Sequence, residues 1–179
     1  PIAFSVPISS RYSYAISKFV GEFLLNEISK KSKIPVSIIR YHNIYGPRMG
    51  YNHVVPALIK KISNNKKTIL LPGYNETRSF CYINDAVLAT HKIALSKKTN
   101  NTIIHVGNQR EEIKIIELVK KIMILMESKK KILKKSSLES SVGRRLPDVT
   151  KMKKLINYEC KTPLRDGLIK TIDWYNKFR

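Results

Sequence analysis

The stretch Tyr14-Ala15-Ile16-Ser17-Lys18 holds the residues best placed to do chemistry. Tyr14 and Lys18 are four apart, so on a helix they stand one turn above the other. A phenol beside an ammonium is a proton-transfer device. The positive charge favours the phenolate and makes the tyrosine an acid/base near neutral pH. A surface tyrosine beside a solvated lysine has the same spacing, so the pair needs support from the rest of the chain. A second polar group, His42, Asn43 and Arg48, clusters around the turn signal Gly46-Pro47. A plain loop explains the Gly and Pro but not the cluster. Taken alone, His42 and His53 read as hydrogen-bonded structural histidines, and Arg48 as either a ligand or a loop anchor.

The elements that must position these groups follow from periodicity. A helix is expected over residues 11–31. Tyr12, Ile16, Phe19, Val20, Phe23, Leu24 and Ile28 recur on it at three- and four-residue spacing, an apolar face distinct from the Tyr14/Lys18 face. Pro35 then opens Val36-Ser37-Ile38-Ile39-Arg40-Tyr41, a β-branched run expected as a buried strand. Helix, short loop and such a strand predict a parallel, helix-covered sheet. Residues 42–50 fall at the carboxyl end of that strand, where open α/β sheets bind ligands.

Further on, a helix is expected over 53–64 with Val54, Val55, Leu58, Ile59 and Ile62 inward, then a strand over 68–71. Residues 77–83 alternate as a half-buried strand, and Asn84 or Asp85 should cap a helix running to about Leu95. A strand over 102–106, a long helix over 111–126 and a helix over 150–155 capped by Thr150 follow. A final helix opens at Thr162-Pro163, with Leu164, Leu168, Ile172 and Tyr175 buried. The Lys- and Ser-rich residues 127–147 read as a strand and a mobile loop.

At 179 residues the chain can bury one substantial core. No apolar run approaches the ~18 residues of a membrane span, and no signal peptide is legible. The chain does not begin with Met and reads as a fragment of a longer one. Cys81 and Cys160 are far apart in sequence, without metal-ligand spacing, and read as ordinary thiols of a reducing, cytoplasmic compartment. The net charge of +21 comes mostly from lysines spread along the chain. These read as solvated side chains rather than a polyanion site, and no aromatic–basic interleaving marks a nucleic-acid platform.

Together, several stretches resemble one family. Residues 13–18 resemble the catalytic segment of the extended short-chain dehydrogenase/reductases, the NAD-dependent nucleotide-sugar epimerases, dehydratases and decarboxylases. Arg40-Tyr41-His42-Asn43-Ile44-Tyr45-Gly46-Pro47-Arg48-Met49 resembles the segment after their next strand. His53-Val54-Val55-Pro56, residues 78–85 and Arg145-Leu146-Pro147-Asp148 are similar to their substrate-domain motifs, and residues 161–175 to their closing helix.

The resemblance implies an α/β fold: the C-terminal part of a Rossmann-like, doubly wound parallel sheet plus a small α/β substrate-binding subdomain. Residues 1–50 would end the dinucleotide-binding domain. Residues 51–179 would be mostly the subdomain, with strand 102–106 returning to the sheet. It implies NAD as cofactor and a nucleotide-diphosphate sugar as substrate. Tyr14 would be the acid/base, and Lys18 would hold the nicotinamide ribose. Tyr41 would lie against the cofactor, and Asn43 where cofactor and substrate meet. His53 and Val54 would contact the sugar nucleotide, and Arg78 and Arg145 its diphosphate. A guanidinium fork suits that doubly charged group, although, read without the resemblance, Arg78 could equally serve a strand-edge ion pair, and Arg144 could take the place of Arg145.

One departure matters. The seven glycines are scattered and form no Gly-rich dinucleotide loop. The family's Ser or Thr upstream of the Tyr has no counterpart either. The expectation is therefore an inactive C-terminal fragment of an epimerase or dehydratase. Such a fragment would form a homodimer when full length, and a separate chain could supply the N-terminal half. The alternatives are a UDP-glucuronate decarboxylase-like enzyme and a non-catalytic remnant that binds polyanions through its basic surface.

Overall fold

Two apolar cores organise the chain, and short parallel strands join them. The computed structural model describes residues 10–136 and 142–178, with the side chains of residues 10–12 left aside. The irregular opening expected over residues 1–10 lies outside the described residues except for Ser10, which is helical. Tyr12's place on the apolar face and residues 137–141 of the expected loop also lie outside them.

The chain opens with α1, Ser10–Ser32, which ends at Lys33 in the left-handed region, φ 58°. Strand β1, Ser37–Tyr41, follows. It pairs in parallel with β6, Thr102–Val106, from Ser37 opposite Thr102 to Tyr41 opposite Val106. Ile38, Ile104 and Val106 are buried there, but the strand expected as buried over 36–41 begins only at Ser37 and fully buries Ile38 alone, with Arg40 and Tyr41 exposed at its end. Helices α3, Ile83–Leu95, and α5, Thr150–Ile156, bury Ala86, Ala89, Ile93 and Met152 in the same core. Cys81 and Cys160 also lie in it as free thiols, 3.5 Å apart, although 79 residues separate them. The contact with Cys160, together with burial, pushes the Cys81 thiol well above its usual range.

The other core holds α2, Val54–Ser63; α4, Ile115–Leu125; and α6, Leu164–Lys177. Strand β3, Thr68–Pro72, contributes Ile69 and Leu71 and pairs in parallel with β8, Lys131–Lys135. Strand β4, Thr77–Ser79, lies between β7, Glu112–Lys114, and β9, Arg144–Arg145. Strand β2, Ile44–Tyr45, pairs with β5, Cys81–Tyr82, and bridges the two cores. Buried Tyr45 donates its hydroxyl to Leu164 O at 3.2 Å. Gly167 is required where α6 crosses, because a Cβ there would overlap the Tyr45 hydroxyl. Among the described residues no helix is long and apolar enough to cross a membrane.

Several expectations need correction. The apolar face expected on α1 is present but uncovered: Phe19 is 52% exposed, Phe23 60% and Ile28 57%. Periodicity reports that a face is apolar, not that this chain covers it. Val54 is also exposed, at the open first turn of α2. The strand expected over 77–83 is neither continuous nor half-buried. It breaks at Phe80, and Arg78 through Tyr82 are all buried. The helix expected over 111–126 begins only at Ile115, because residues 112–114 pair with β4.

Of the expected caps, one is absent and two are supplied from elsewhere. Helix α3 starts at Ile83, so neither Asn84 nor Asp85 caps it. Asp85 instead accepts from Tyr158 Oη at 2.8 Å, Lys161 N at 3.1 Å and Thr162 N at 2.9 Å. Thr150 N donates to Asp148 Oδ1 at 2.9 Å, so the aspartate rather than the threonine serves α5. The N-terminus of α6 is served by Glu111, whose Oε2 accepts from Leu164 N at 2.5 Å.

Asp85 thus ties the loop before α6 to the start of α3. Burial opposes its ionisation, but the N–H groups of Thr162 and Lys161 and the Tyr158 hydroxyl outweigh burial and hold the carboxyl below its usual range. Its stabilisation is present above the unfolded carboxyl value, about 3.9, and is lost as pH falls through the lower folded value. Asp85→Ala should cost about 3 kcal/mol in urea unfolding at pH 7, because three donors lose a charged acceptor.

Candidate functional site

The site grows from one face of α1 and the carboxyl end of β1. Tyr14, Lys18 and Glu22 sit four residues apart on α1. With Phe19, Arg40 and Tyr41 they line a cavity of about 610 Å³. The Lys18 ammonium lies over the Tyr14 ring, 5.4 Å from its centroid. Tyr14 is 72% exposed, so the groove is open. Arg40 grips Glu22 with two bonds, Nε to Oε1 at 2.8 Å and Nη2 to Oε2 at 2.5 Å. That hydrogen-bonded guanidinium holds the Glu22 carboxyl below its usual range.

Tyr41 belongs to this cavity and to a second one, of about 300 Å³, which also takes in Asn43, Met49, His53, Val54 and Phe80. The Tyr41 hydroxyl bonds Thr90 Oγ1 at 2.7 Å, which pins the ring against α3. Asn43 adopts φ 43°, a conformation that asparagine tolerates better than most residues. Its side chain donates to Ser79 O at 2.9 Å, and its carbonyl accepts from Cys81 N at 3.2 Å. This carboxamide is therefore held in place in the lining of the second cavity.

Six of the eight expected site residues therefore line two cavities that share Tyr41: Tyr14, Lys18, Tyr41, Asn43, His53 and Val54. Arg78 and Arg145 line neither. They stand opposite each other on β4 and β9. Arg78 is only 7% exposed. Its Nη1 donates to Thr77 O at 2.7 Å and Gly143 O at 3.3 Å, and its Nη2 to Glu76 Oε2 at 2.5 Å. Arg144 is held by Glu112 through two 2.8 Å bonds. Arg145 is exposed and forms no ion pair among the described residues, so it is the freer of the two adjacent arginines.

His42 points elsewhere. Its Nε2 lies 2.6 Å from His105 Nδ1, with the rings 4.8 Å apart. Sequence reasoning did not place Glu22, Arg40, Met49 or Phe80 in the site. The four-residue step from Lys18 was a usable signal for Glu22 alone; the other three arrive through long-range packing.

Chemically, the arrangement offers a phenol and an ammonium at an open groove, and a second cavity, sharing Tyr41 with it, that holds a fixed carboxamide. The family model for the NAD dependent epimerase/dehydratase family matches residues 3–107. The chain belongs to that family. It is 33% identical, over 93% of its length, to a UDP-N-acetyl-alpha-D-glucosaminuronate decarboxylase of Bacillus cytotoxicus, and covers 54% of that protein. It is 30% identical, over 96% of its length, to UDP-glucuronic acid decarboxylase 1 of Xenopus tropicalis, and covers 40% of it. The chain thus spans about half the length of the curated relatives it matches. A solved UDP-glucuronic acid 4-epimerase from Bacillus cereus, in complex with UDP-glucuronic acid and NAD, superposes with a TM-score of 0.84. There the identity is 25%, covering 98% of this chain and 58% of the epimerase.

The His42–His105 pair gives this region a pH dependence. Burial holds both imidazoles below their usual range. For His42, His105 and Arg40 add to the effect. For His105, Arg40 and Lys151 add to it, while Asp148 and Glu22 oppose it. Below the unfolded histidine value of about 6.5, the unfolded chain binds more protons than the folded one. The stability is thus intact above that pH and is lost as pH falls through the folded values. The urea midpoint should fall between pH 7.5 and 5.5, and His42→Phe should remove about half of the slope that this pair contributes.

Proposed function

We propose that this chain is the C-terminal part of an NAD-dependent enzyme that transiently oxidises a sugar carbon of a nucleotide-diphosphate sugar, as in epimerisation or dehydration. The observation that carries this reading is that Tyr41 lines both the cavity holding Tyr14 and Lys18 and the one holding Asn43, His53 and Val54. Residues 1–50 would close the dinucleotide-binding domain, and β6 would belong to the same sheet through its pairing with β1.

The residues fit the nicotinamide end of the cofactor. Lys18 would hold the ribose hydroxyls, and its charge would keep Tyr14 ready to exchange a proton with a sugar hydroxyl. Tyr41, fixed by Thr90, would lie against the cofactor, and Asn43 would orient the sugar at the boundary. When bound, NAD supplies the hydride acceptor at that position. His53 and Val54 would contact the sugar nucleotide. Arg145 would reach the diphosphate from the surface. Arg78, already engaged by Glu76, would contribute its charge from beneath.

This sequence has no Gly-rich loop for the adenosine-side phosphates, so the chain alone should be inactive. A preceding or separate N-terminal half would complete the sheet. The exposed apolar stripe of α1 supports a homodimer of the complete, cytoplasmic enzyme. A second reading, decarboxylation of a UDP-uronic acid, is favoured by the two decarboxylase relatives. Arg145 would then serve the chemistry as well as the phosphate.

The test is to mix this chain with the Gly-rich half, NAD and a panel of UDP-, dTDP- and GDP-sugars that includes UDP-glucuronate. Sugar products and released CO₂ are then followed. Turnover should appear and should drop about a thousandfold in Tyr14→Phe with little change in KM. Loss of CO₂ would select decarboxylation. Failure to bind any sugar nucleotide would sink both readings.

A further inference from the structure

Lys18 and Glu22 are opposite charges four residues apart on one helix, a spacing at which such side chains ordinarily pair. Here they do not. Lys18 forms no ion pair among the described residues, and its ammonium stays over the Tyr14 ring. Glu22 is turned to Arg40, on a different element, and both of its oxygens are occupied. All four side chains line the same cavity.

The competition is decided by geometry. Arg40 offers two parallel donors in a rigid plane, which match a carboxylate better than a single ammonium does. Glu22's side chain is only 16% exposed, against 44% for Arg40's, so the carboxylate is the enclosed partner. Few other contacts hold α1. Near its C-terminal end, Ser29 Oγ donates to Ile34 O at 2.7 Å and to Asn101 Oδ1 at 3.0 Å. The Arg40 clamp is the polar tie in the middle of the helix, one turn from Lys18.

We propose that Arg40 is a positioning residue: by sequestering Glu22, it leaves the Lys18 ammonium uncompensated beside Tyr14 and fixes the rotation that turns both into the groove. The inference rests on the reading of Tyr14 and Lys18 as the catalytic pair, and it adds a function for two side chains that reading did not use. Without the clamp, Glu22 swings to Lys18, and the charge that prepares the phenol and holds the ribose is quenched.

The experiment follows the ε-methylene signal of Lys18 by NMR in the whole chain carrying labelled lysine, with K18R giving the assignment. R40Q should shift that signal, and E22Q alone should leave it in place. The double variant R40Q/E22Q should return it to the native position, because the competitor is gone. R40K, which keeps the charge but loses the fork, should give a smaller shift in the same direction and guards against a folding defect in R40Q. A Lys18 signal unmoved in R40Q, or not restored in the double variant, overturns the proposal. The catalytic reading is tested separately in the reassembled enzyme. R40Q should raise KM for NAD severalfold, with rescue in R40Q/E22Q. A Lys18 signal that behaves as expected while KM and kcat stay native would sink the catalytic reading and leave the pairing hierarchy on α1 standing.

Discussion

The site depends on one five-residue ladder. Parallel pairing of β1 with β6 buries Ile38, Ile104 and Val106 and thereby fixes the face of β1 on which each residue emerges. A one-residue slip would exchange Arg40 with Tyr41 and carry every neighbour to the opposite face. The ladder ends at Tyr41, where its last bond, His42 N to Val106 O at 2.9 Å, releases the chain. The left-handed turn at Asn43 follows immediately and starts β2 toward the other core. Tyr41 and Asn43 therefore sit at a point where the backbone leaves one core for the other.

This logic explains what was legible in the sequence. The β-branched run 36–41 and the strand over 102–106 carry their own signal, and the polar residues after β1 follow from its direction. Helix interiors were equally readable: Leu58, Ile62, Leu118, Ile122, Leu168 and Ile172 are buried as their spacing requires. What could not be read were the ends. Asp85, Asp148 and Glu111 serve termini or loops, yet two of the three are not the residue that local cap preference selects. A cap needs an acceptor in the right place. When the tertiary fold delivers a carboxylate from 53 residues away, as Glu111 is delivered to Leu164, the local signal is overruled.

The α1 stripe exposes a second limit of pattern reading. Its spacing identifies the helix correctly, and its apolar side chains then stand in solvent. Amphipathicity is a statement about the surface a helix needs, and that surface need not belong to the same stretch of chain. For a chain that covers about half the length of its relatives, the mismatch between a well-formed stripe and its exposure is informative. Among the described residues, nothing covers Phe19, Phe23 and Ile28. The same reasoning makes the openness of the Tyr14 groove unsurprising, since it lies on the same helix.

Charge economy links the site to the whole molecule. There are 34 lysines and arginines but only 13 acids, so each carboxylate has several cations competing for it. Burial and shape decide the contest, and arginine wins at Glu22, Glu76 and Glu112. Those three pairings share one form: a strand arginine held by a glutamate near it in space, mostly with a fork-shaped contact. The cations left over are then set by the fold and not by chance. Lys18 loses Glu22 to Arg40, while Arg145, next to the Arg144 that holds Glu112 but facing the other way on β9, forms no ion pair among the described residues. Both leftover cations are among the residues that the family resemblance assigns to an anionic or hydroxylated ligand. In a chain this basic, an unpaired cation is ordinary. At Lys18, where the acid one helical turn away is held by a better-shaped competitor, it is a positioned one.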